Sequence, residues 1–220
     1  MPAAIVTHAA TGAGRAIVSR LTEDGFQVLA IATPSGVARP DLGRLVADAV
    51  AATDVDVLVN LIPPLPTGEV VASPVATFAA ALDVGLNSIF SVCREAGAVA
   101  VSSGAALTII NVVSALAVVG LSARAAEACN SAGILAASKA LAAEWGPLGI
   151  RVGTIVTGPT AEWGIDGADM PGRIPLGRFV APEDVAAAVS YAAGEDAAVL
   201  AGHAVTIDGG WLAYGYREDT

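Results

Sequence analysis

A turn near the start of the chain, VTHAATGAGRAI at residues 6–17, combines the residue types that can bind phosphate. It follows an apolar run typical of a β-strand and precedes a stretch with helical periodicity. Glycines in such a turn let the backbone approach an anion at the N-terminus of the helix. Thr7, Gly12 and Gly14 could serve this purpose. However, His8 and several alanines stand where such a loop would use glycine.

Further polar residues lie where we expect other strands to end. In a parallel α/β sheet, ligands bind outside the carboxyl ends of the strands. A serine at such an end could donate a hydrogen bond to a ligand or satisfy a backbone group, and an asparagine could cap its strand or bind the ligand. The expected strand ends that could contribute are Thr7, Asn60, Ser114 and Pro159.

Alternating strands and helices must position these residues. The apolar pattern predicts a doubly wound, Rossmann-like parallel sheet of the α/β class, formed by one domain over residues 1–220. The predicted strands are 3–7, 27–32, 55–60, 107–112, 151–156 and 204–207, and the predicted helices are 14–24, 42–52, a long one from Ser73-Pro74 to about Ala100, 125–146 and 184–193.

Several segments together resemble the short-chain dehydrogenase/reductase family. The C-terminal third carries the most specific resemblance, and DVLVN (56–60) and TIINVVS (108–114) resemble two of the family's strands. This resemblance implies nucleotide-dependent oxidoreduction by a serine, a tyrosine and a lysine. The segments of the C-terminal third are LAAEWGPLGIRV (141–152), IPLGRFVAPEDVAAAVSYAA (174–193) and AGHAVTIDGG (201–210).

The chain departs from the family at these chemical positions. The family's serine falls on Ser114, its tyrosine on Glu127 and its lysine on Ser131. Its helix asparagine falls on Gly85. A carboxylate can shuttle a proton, but an ionised one cannot donate to a developing alkoxide. We therefore expect Ser114 and Glu127 to perform acid–base chemistry and do not expect ordinary ketone reduction.

The segments that bind the cofactor in the family also differ in this chain. His8 replaces the family's first loop glycine, where a side chain would crowd the pyrophosphate or fill the vacated space. Only Thr33–Pro40 separates the second strand from the next helix, so the strand–helix unit that the family carries there should be missing. We expect no bound cofactor, although NAD(P) stays open. The expected ligand pocket comprises His8, Asn60, Ser131, Pro159 and Trp163, the last in the family's substrate-lid region.

Composition limits the possible partners. The net charge is −10, without a basic run, which disfavours nucleic acid. Cys93 and Cys129 lack metal-ligand spacing, and we expect no metal and a cytoplasmic location. The uncharged stretch 96–123 is long enough for a membrane span, but its polar residues and glycines predict a helix end, a turn, a strand and a loop.

Three functions remain open. The first is a non-redox enzyme acting on a small oxygenated molecule, such as an isomerase, dehydratase or lyase. The second is a non-catalytic subunit that pairs with an active family member. The third is a reductase with unusual cofactor use, or an enzyme similar to the halohydrin dehalogenases, which the N-terminal segment and NLIPP (60–64) resemble. Family resemblance also implies a dimer or tetramer, formed through the two long helices.

Overall fold

The computed structural model describes residues 1–33, 41–163 and 171–213, with the Trp163 side chain excluded. Six parallel strands form one sheet in the order β2-β1-β3-β4-β5-β6. This arrangement confirms the predicted α/β class and its doubly wound topology. The strands are β1 Ala3–Thr7, β2 Gln27–Ile31, β3 Val55–Leu61, β4 Leu107–Ser114, β5 Ile150–Thr157 and β6 Ala204–Ile207; the helices are α1 Gly12–Glu23, α2 Leu42–Ala52, α3 Val75–Leu82, α4 Ser88–Ser103, α5 Ala125–Trp145 and α6 Pro182–Ala193.

Helices cover both faces of the sheet. One core packs the strands against α2, α4 and α5, and includes the fully buried residues Ile5, Leu58 and Ile109. The other packs them against α1 and α6, around residues such as Ile17 and Val189. The central strands are apolar on both faces because both faces are covered, as in other parallel sheets.

Strand β2 forms one edge of the sheet in the part of the chain that the structure describes. It pairs with β1 and with no further strand there. Leu29 of this strand is 48% exposed. The described ranges therefore agree with the predicted loss of a strand–helix unit, while residues 34–40 lie outside them.

The long predicted helix has an interruption that the sequence did not suggest. It begins at Val75, with Pro74 as its N-cap, and changes to one π-helical turn at Asp83–Asn87 before continuing as α4. Gly104 ends α4 in a left-handed conformation that glycine adopts readily. The π turn contains Gly85 and faces α5, and it therefore becomes relevant to the site.

Residues 96–123 divide as expected into the end of α4, a turn, β4 and a loop with a short 3₁₀ helix. A different stretch, Val75–Ser103, has the length and the mean hydropathy, 1.5, of a membrane span. Only 28% of its most apolar window is buried. Much of its apolar surface therefore lies on the outside of this chain.

Candidate functional site

A cavity of ≈ 390 Å³ opens where β3, β4 and β5 end. Its walls come from the segment after β3, from the start of α5 and from the segment after β5. Both apolar and polar side chains line it, which suits a small molecule carrying a few oxygen atoms. The polar lining residues are Thr11, Thr67, Ser114, Arg124, Glu127, Ser131, Thr157, Thr160 and Glu162.

Ser114 is the last residue of β4 and lies at the cavity wall. Its Oγ accepts a hydrogen bond of 3.2 Å from the Leu116 backbone N–H. Ser131 Oγ accepts one of 3.3 Å from the Ser114 backbone N–H. Neither hydroxyl donates to an acceptor within the described ranges, but Ser131 is fully buried whereas Ser114 is 8% exposed. The Ser114 hydroxyl therefore retains a hydrogen for a ligand oxygen.

Glu127 and Arg124 form an ion pair at the start of α5. Arg124 Nη1 donates to Glu127 Oε2 at 3.1 Å, and the two side chains are only 16% and 17% exposed. A negative charge in the first turn of a helix is also stabilised by the helix dipole. Arg124 therefore orients the Glu127 carboxylate at the cavity wall, where a carboxylate oxygen can accept a proton from a ligand.

Asn130 connects α5 to the π turn. Its Oδ1 accepts from the Leu86 backbone N–H at 2.5 Å, and its Nδ2 donates to Ala81 O at 3.2 Å and to Ala126 O at 2.8 Å. A Cβ at Gly85 would collide with the Asn130 amide. Residue 85, where the resemblance places the family's asparagine, has no room for a side chain because Asn130 fills that space from the opposite helix.

The N-terminal loop keeps its tight turn. Thr11 caps α1 by accepting from the Gly14 backbone N–H at 3.0 Å. Gly14 itself lies so close to the Ala9 backbone that a Cβ would approach within 2.7 Å of Ala9 Cα. The Gly14 contact explains why this glycine persists, independently of any bound phosphate.

His8 turns its ring inward. Its φ of 52° lies in the left-handed region, where non-glycine residues are uncommon. The side chain is 3% exposed; Nδ1 contacts Thr33 Oγ1, and Nε2 is buried without a partner among the described residues. Burial lowers the pKa of His8 from 6.5 to about 4, so the ring is neutral near pH 7.

A second cavity of ≈ 440 Å³ lies over this loop. His8, Gly12, Arg15 and Thr33 line it, and it shares four lining residues with the first cavity. Glu162, from the short helix Ala161–Trp163, is one of the shared residues, and a Cβ at Gly12 would collide with its carboxylate. The shared residues are Thr11, Pro63, Pro64 and Glu162.

Two residues predicted for the site lie in the protein interior instead. Asn60 is fully buried; its Oδ1 accepts from Thr7 Oγ1 at 3.2 Å, and its Nδ2 donates to Asn111 Oδ1 at 3.0 Å. Asn111 continues the chain of bonds to Ser138 Oγ at 2.9 Å. This network corrects the placement of Asn60 in the pocket and of Thr7 in the loop's binding surface.

Most of the other predicted residues line one of the two cavities, and one lies in the interior beside them. Ser114, Glu127 and Ser131 line the first cavity together, while His8 and Gly12 line the second. Pro159 is buried outside both cavity walls, where its carbonyl accepts from the Val180 N–H at 2.9 Å. The side chain of Trp163 lies outside the described part of the structure.

Three contributors were not predicted. Arg124 stands three residues before Glu127, a spacing that places the two on one helix face and could have indicated the pair. Asn130 precedes Ser131 in an apolar helix, where a lone amide signals a buried partner. Glu162 gave no sequence signal, because its contact with Gly12 spans 150 positions.

Comparisons with known proteins show similarity to the short-chain dehydrogenases/reductases. A family model described as enoyl-(acyl carrier protein) reductase matches residues 37–212. D-threitol dehydrogenase of Mycolicibacterium smegmatis is 30% identical, over 94% of this chain and 92% of that protein. That alignment extends over 239 positions, more than the 220 residues of this chain, so the relative has residues that this chain lacks.

A second relative is longer. An uncharacterized short-chain type dehydrogenase/reductase of Sinorhizobium fredii is 33% identical over 95% of this chain, which spans only 43% of that protein. Among solved structures, a putative NAD(P)-dependent gluconate 5-dehydrogenase from Beutenbergia cavernae with bound NADP at low occupancy has a TM-score of 0.89. It is 26% identical, over 96% of this chain and 97% of that chain.

Proposed function

This chain belongs to the short-chain dehydrogenase/reductase family, and on that premise we propose that it performs acid–base chemistry on a small oxygenated molecule without nucleotide-dependent ketone reduction. One observation carries the proposal: the Glu127 carboxylate and the Ser114 hydroxyl line the same cavity at the carboxyl end of β4. The carboxylate supplies a proton acceptor, and the hydroxyl supplies a hydrogen-bond donor.

The residues around the loop do not suit a dinucleotide. A pyrophosphate needs exposed backbone N–H groups and glycine surfaces at the helix N-terminus. Here the Glu162 carboxylate lies against Gly12, and His8 occupies a position at which the family has glycine. Ser131, which stands where the family has lysine, carries no charge for a nicotinamide ribose or for lowering the pKa of a proton donor.

The proposed reaction begins with removal of a proton from a carbon next to a carbonyl group. The C–H bond breaks, the proton moves to a Glu127 oxygen, and the electron pair forms an enolate. The Ser114 hydroxyl donates to the enolate oxygen, and the buried Ser131 hydroxyl supports Ser114 by accepting from its backbone N–H. Where the deprotonated carbon carries a hydroxyl, that hydroxyl's proton moves to the first oxygen and Glu127 returns its proton to the former carbonyl carbon, which isomerises the molecule. Where a β-hydroxyl is present, its C–O bond breaks as the C=C bond forms, and the leaving hydroxide takes the proton from Glu127 and departs as water.

Arg124 positions the base in this scheme. Its ion pair orients the Glu127 carboxylate at the cavity wall. The cavity volume of ≈ 390 Å³ suits a substrate of roughly the size of a sugar acid or polyol. Relatives named for threitol and gluconate support this size class, and we extend only the size class to the present chain.

Exchange of solvent deuterium tests the proposal whatever the product is, because it follows the proton-removal step itself. Small keto-sugars and keto-acids are incubated with the protein in D₂O, without nucleotide, and loss of the acidic C–H signal is followed by NMR. We expect exchange with the wild-type protein and a loss of roughly a hundredfold or more with Glu127→Gln. Glu144→Gln, at an exposed acid on the same helix, is the matched control. Equal exchange by the wild type and Glu127→Gln, for every compound that exchanges, would exclude Glu127 as the base.

A non-catalytic subunit is the second candidate. The apolar and largely unburied Val75–Ser103 stretch favours it, because such a surface suits a partner chain. The same surface could instead bind a second copy of this chain, and a homo-oligomer formed without an active family member would count against the second candidate. Light scattering on the purified chain distinguishes them: a monomer that becomes a defined complex only when co-expressed with an active member would favour the second candidate.

A further inference from the structure

Glu162 lies where a bound phosphate would contact the N-terminal loop. We infer that Glu162 is the residue that excludes nucleotides from the loop, because its carboxylate occupies the space beside Gly12 where a pyrophosphate would bind. This inference rests on the proposal that the protein works without a nucleotide. It goes further by assigning the exclusion to one side chain.

Steric occupation is the first argument. Gly12 is the first residue of α1, and its Cα hydrogen faces the Glu162 carboxylate so closely that a Cβ there would collide with it. Pro182, the first residue of α6, borders the same space, with its Cγ 3.6 Å from that Cβ position. A phosphate that used the Gly12 surface would therefore have to displace the Glu162 side chain.

Charge is the second argument. The second cavity has two charged side chains among its described lining residues, Arg15 and Glu162, and the buried His8 ring is neutral near pH 7. Arg15 donates a hydrogen bond to the Ala10 carbonyl oxygen. Glu162 forms no ion pair within the described ranges. Its negative charge therefore offsets the attraction that Arg15 and the N-terminus of α1 would exert on a phosphate.

Removing the negative charge of Glu162 should make the second cavity attractive to phosphate. With glutamine at position 162, Arg15 becomes the one charged lining residue of the second cavity among those described. With alanine, the space beside Gly12 also opens. His8 does not oppose either effect by charge, and its ring is buried away from solvent. Glu162 is exposed, so neither change should unfold the protein.

NADPH binding, followed by nucleotide fluorescence, tests the inference on the full chain. We expect Glu162→Gln to show saturable NADPH binding with a dissociation constant roughly tenfold or more below the 1 mM at which the wild type shows none, and Glu162→Ala to bind at least as tightly as Glu162→Gln. Glu183→Gln, which removes the same charge from an exposed position next to Pro182, is the control and should bind like the wild type. Thermal melting of all four proteins verifies that they are folded.

The outcomes separate this inference from the proposed function. Glu162 variants that bind NADPH no more tightly than Glu183→Gln would overturn the assignment, and so would a wild type that already binds at micromolar concentrations. The deuterium-exchange result at Glu127 is independent of the first of these outcomes. Acid–base catalysis could therefore stand while the role of Glu162 fails, and the reverse is also possible.

Discussion

Single residues show how this site differs from what the sequence suggested. Ser114 and Glu127 lie at one cavity as expected from their places at a strand end and a helix start. His8 was expected either to fill vacated space or to contact a ligand, and its ring is buried. The spacing of Arg124 and Glu127 could have indicated their ion pair, whereas the position of Glu162 depends on the path of a loop, which local sequence patterns do not determine.

The His8 ring predicts a pH-dependent stability. Its pKa is lowered to about 4 in the folded protein, whereas the unfolded chain takes up the proton near pH 6.5. The stabilisation is therefore complete above about pH 6.5 and is lost as the pH falls towards about 4, by at most about 3 kcal/mol. Urea unfolding across this range should show a shallower pH dependence for His8→Asn, which tolerates the left-handed backbone. Parallel curves for the two proteins would contradict this role of His8.

The Arg124–Glu127 pair predicts a smaller effect on stability. Because both side chains are largely buried, removing one charge leaves the other without its partner. We expect Arg124→Gln to lower the free energy of unfolding by about 1–3 kcal/mol at neutral pH. Chemical denaturation measures the change, with the exposed Arg44→Gln as the control. A loss no larger than that of the control would mean that the pair does not hold Glu127.

At the scale of elements, periodicity predicted the order of strands and helices but not their irregularities. The strands could be predicted because they are apolar runs buried on both faces. The predicted and observed bounds of most elements differ by only one or two residues. The π turn at Asp83–Asn87 could not be predicted, because it depends on Asn130 entering from another helix. Asn60 was placed in the pocket because it ends a strand, yet Thr7 and Asn111 on the neighbouring strands bind its amide.

The contact between Gly85 and Asn130 predicts that substitutions at these two positions have non-additive effects on stability. Gly85→Ala should destabilise the protein by about 1–3 kcal/mol, because the new methyl group would collide with the Asn130 amide. Asn130→Ala should cost about 1–3 kcal/mol through the unpaired Leu86 N–H and Ala81 carbonyl groups. The double variant should lose less stability than the sum of the two, as measured by urea denaturation. Strict additivity would show that the two residues do not compete for the same space.

At the scale of the whole molecule, the exposed apolar face of α4 predicts self-association. Phe90 and Val101 are 49% and 43% exposed and lie eleven positions apart, on one face of the helix. We expect Phe90→Asp and Val101→Asp to shift the protein from an oligomer to a monomer in light scattering. Leu148→Asp, at an equally exposed residue after α5, should leave the oligomer intact. A wild-type monomer, or an oligomer that tolerates both aspartates, would exclude this face as the interface.

The whole chain combines the fold of the short-chain dehydrogenase/reductase family with two carboxylates that line the cavities at the carboxyl ends of its strands. Glu127 stands at the family's tyrosine position, and Glu162 lies beside the glycine loop. The C-terminal third and the sheet order could be recognised from sequence because they depend on packing. The site's chemistry could not be derived in the same way, because the family's mechanism depends on individual side chains and the resemblance places Glu127 and Ser131 where that mechanism uses tyrosine and lysine.

Calorimetric titration of the wild-type protein with NADPH and NADH is the most direct test of nucleotide-independent function. Our account predicts no saturable binding of either nucleotide up to about 1 mM, a concentration at which a dissociation constant in the micromolar range would be evident. Saturable binding at micromolar concentrations, together with oxidation of the bound nucleotide by a small ketone, would contradict it and identify the protein as a reductase.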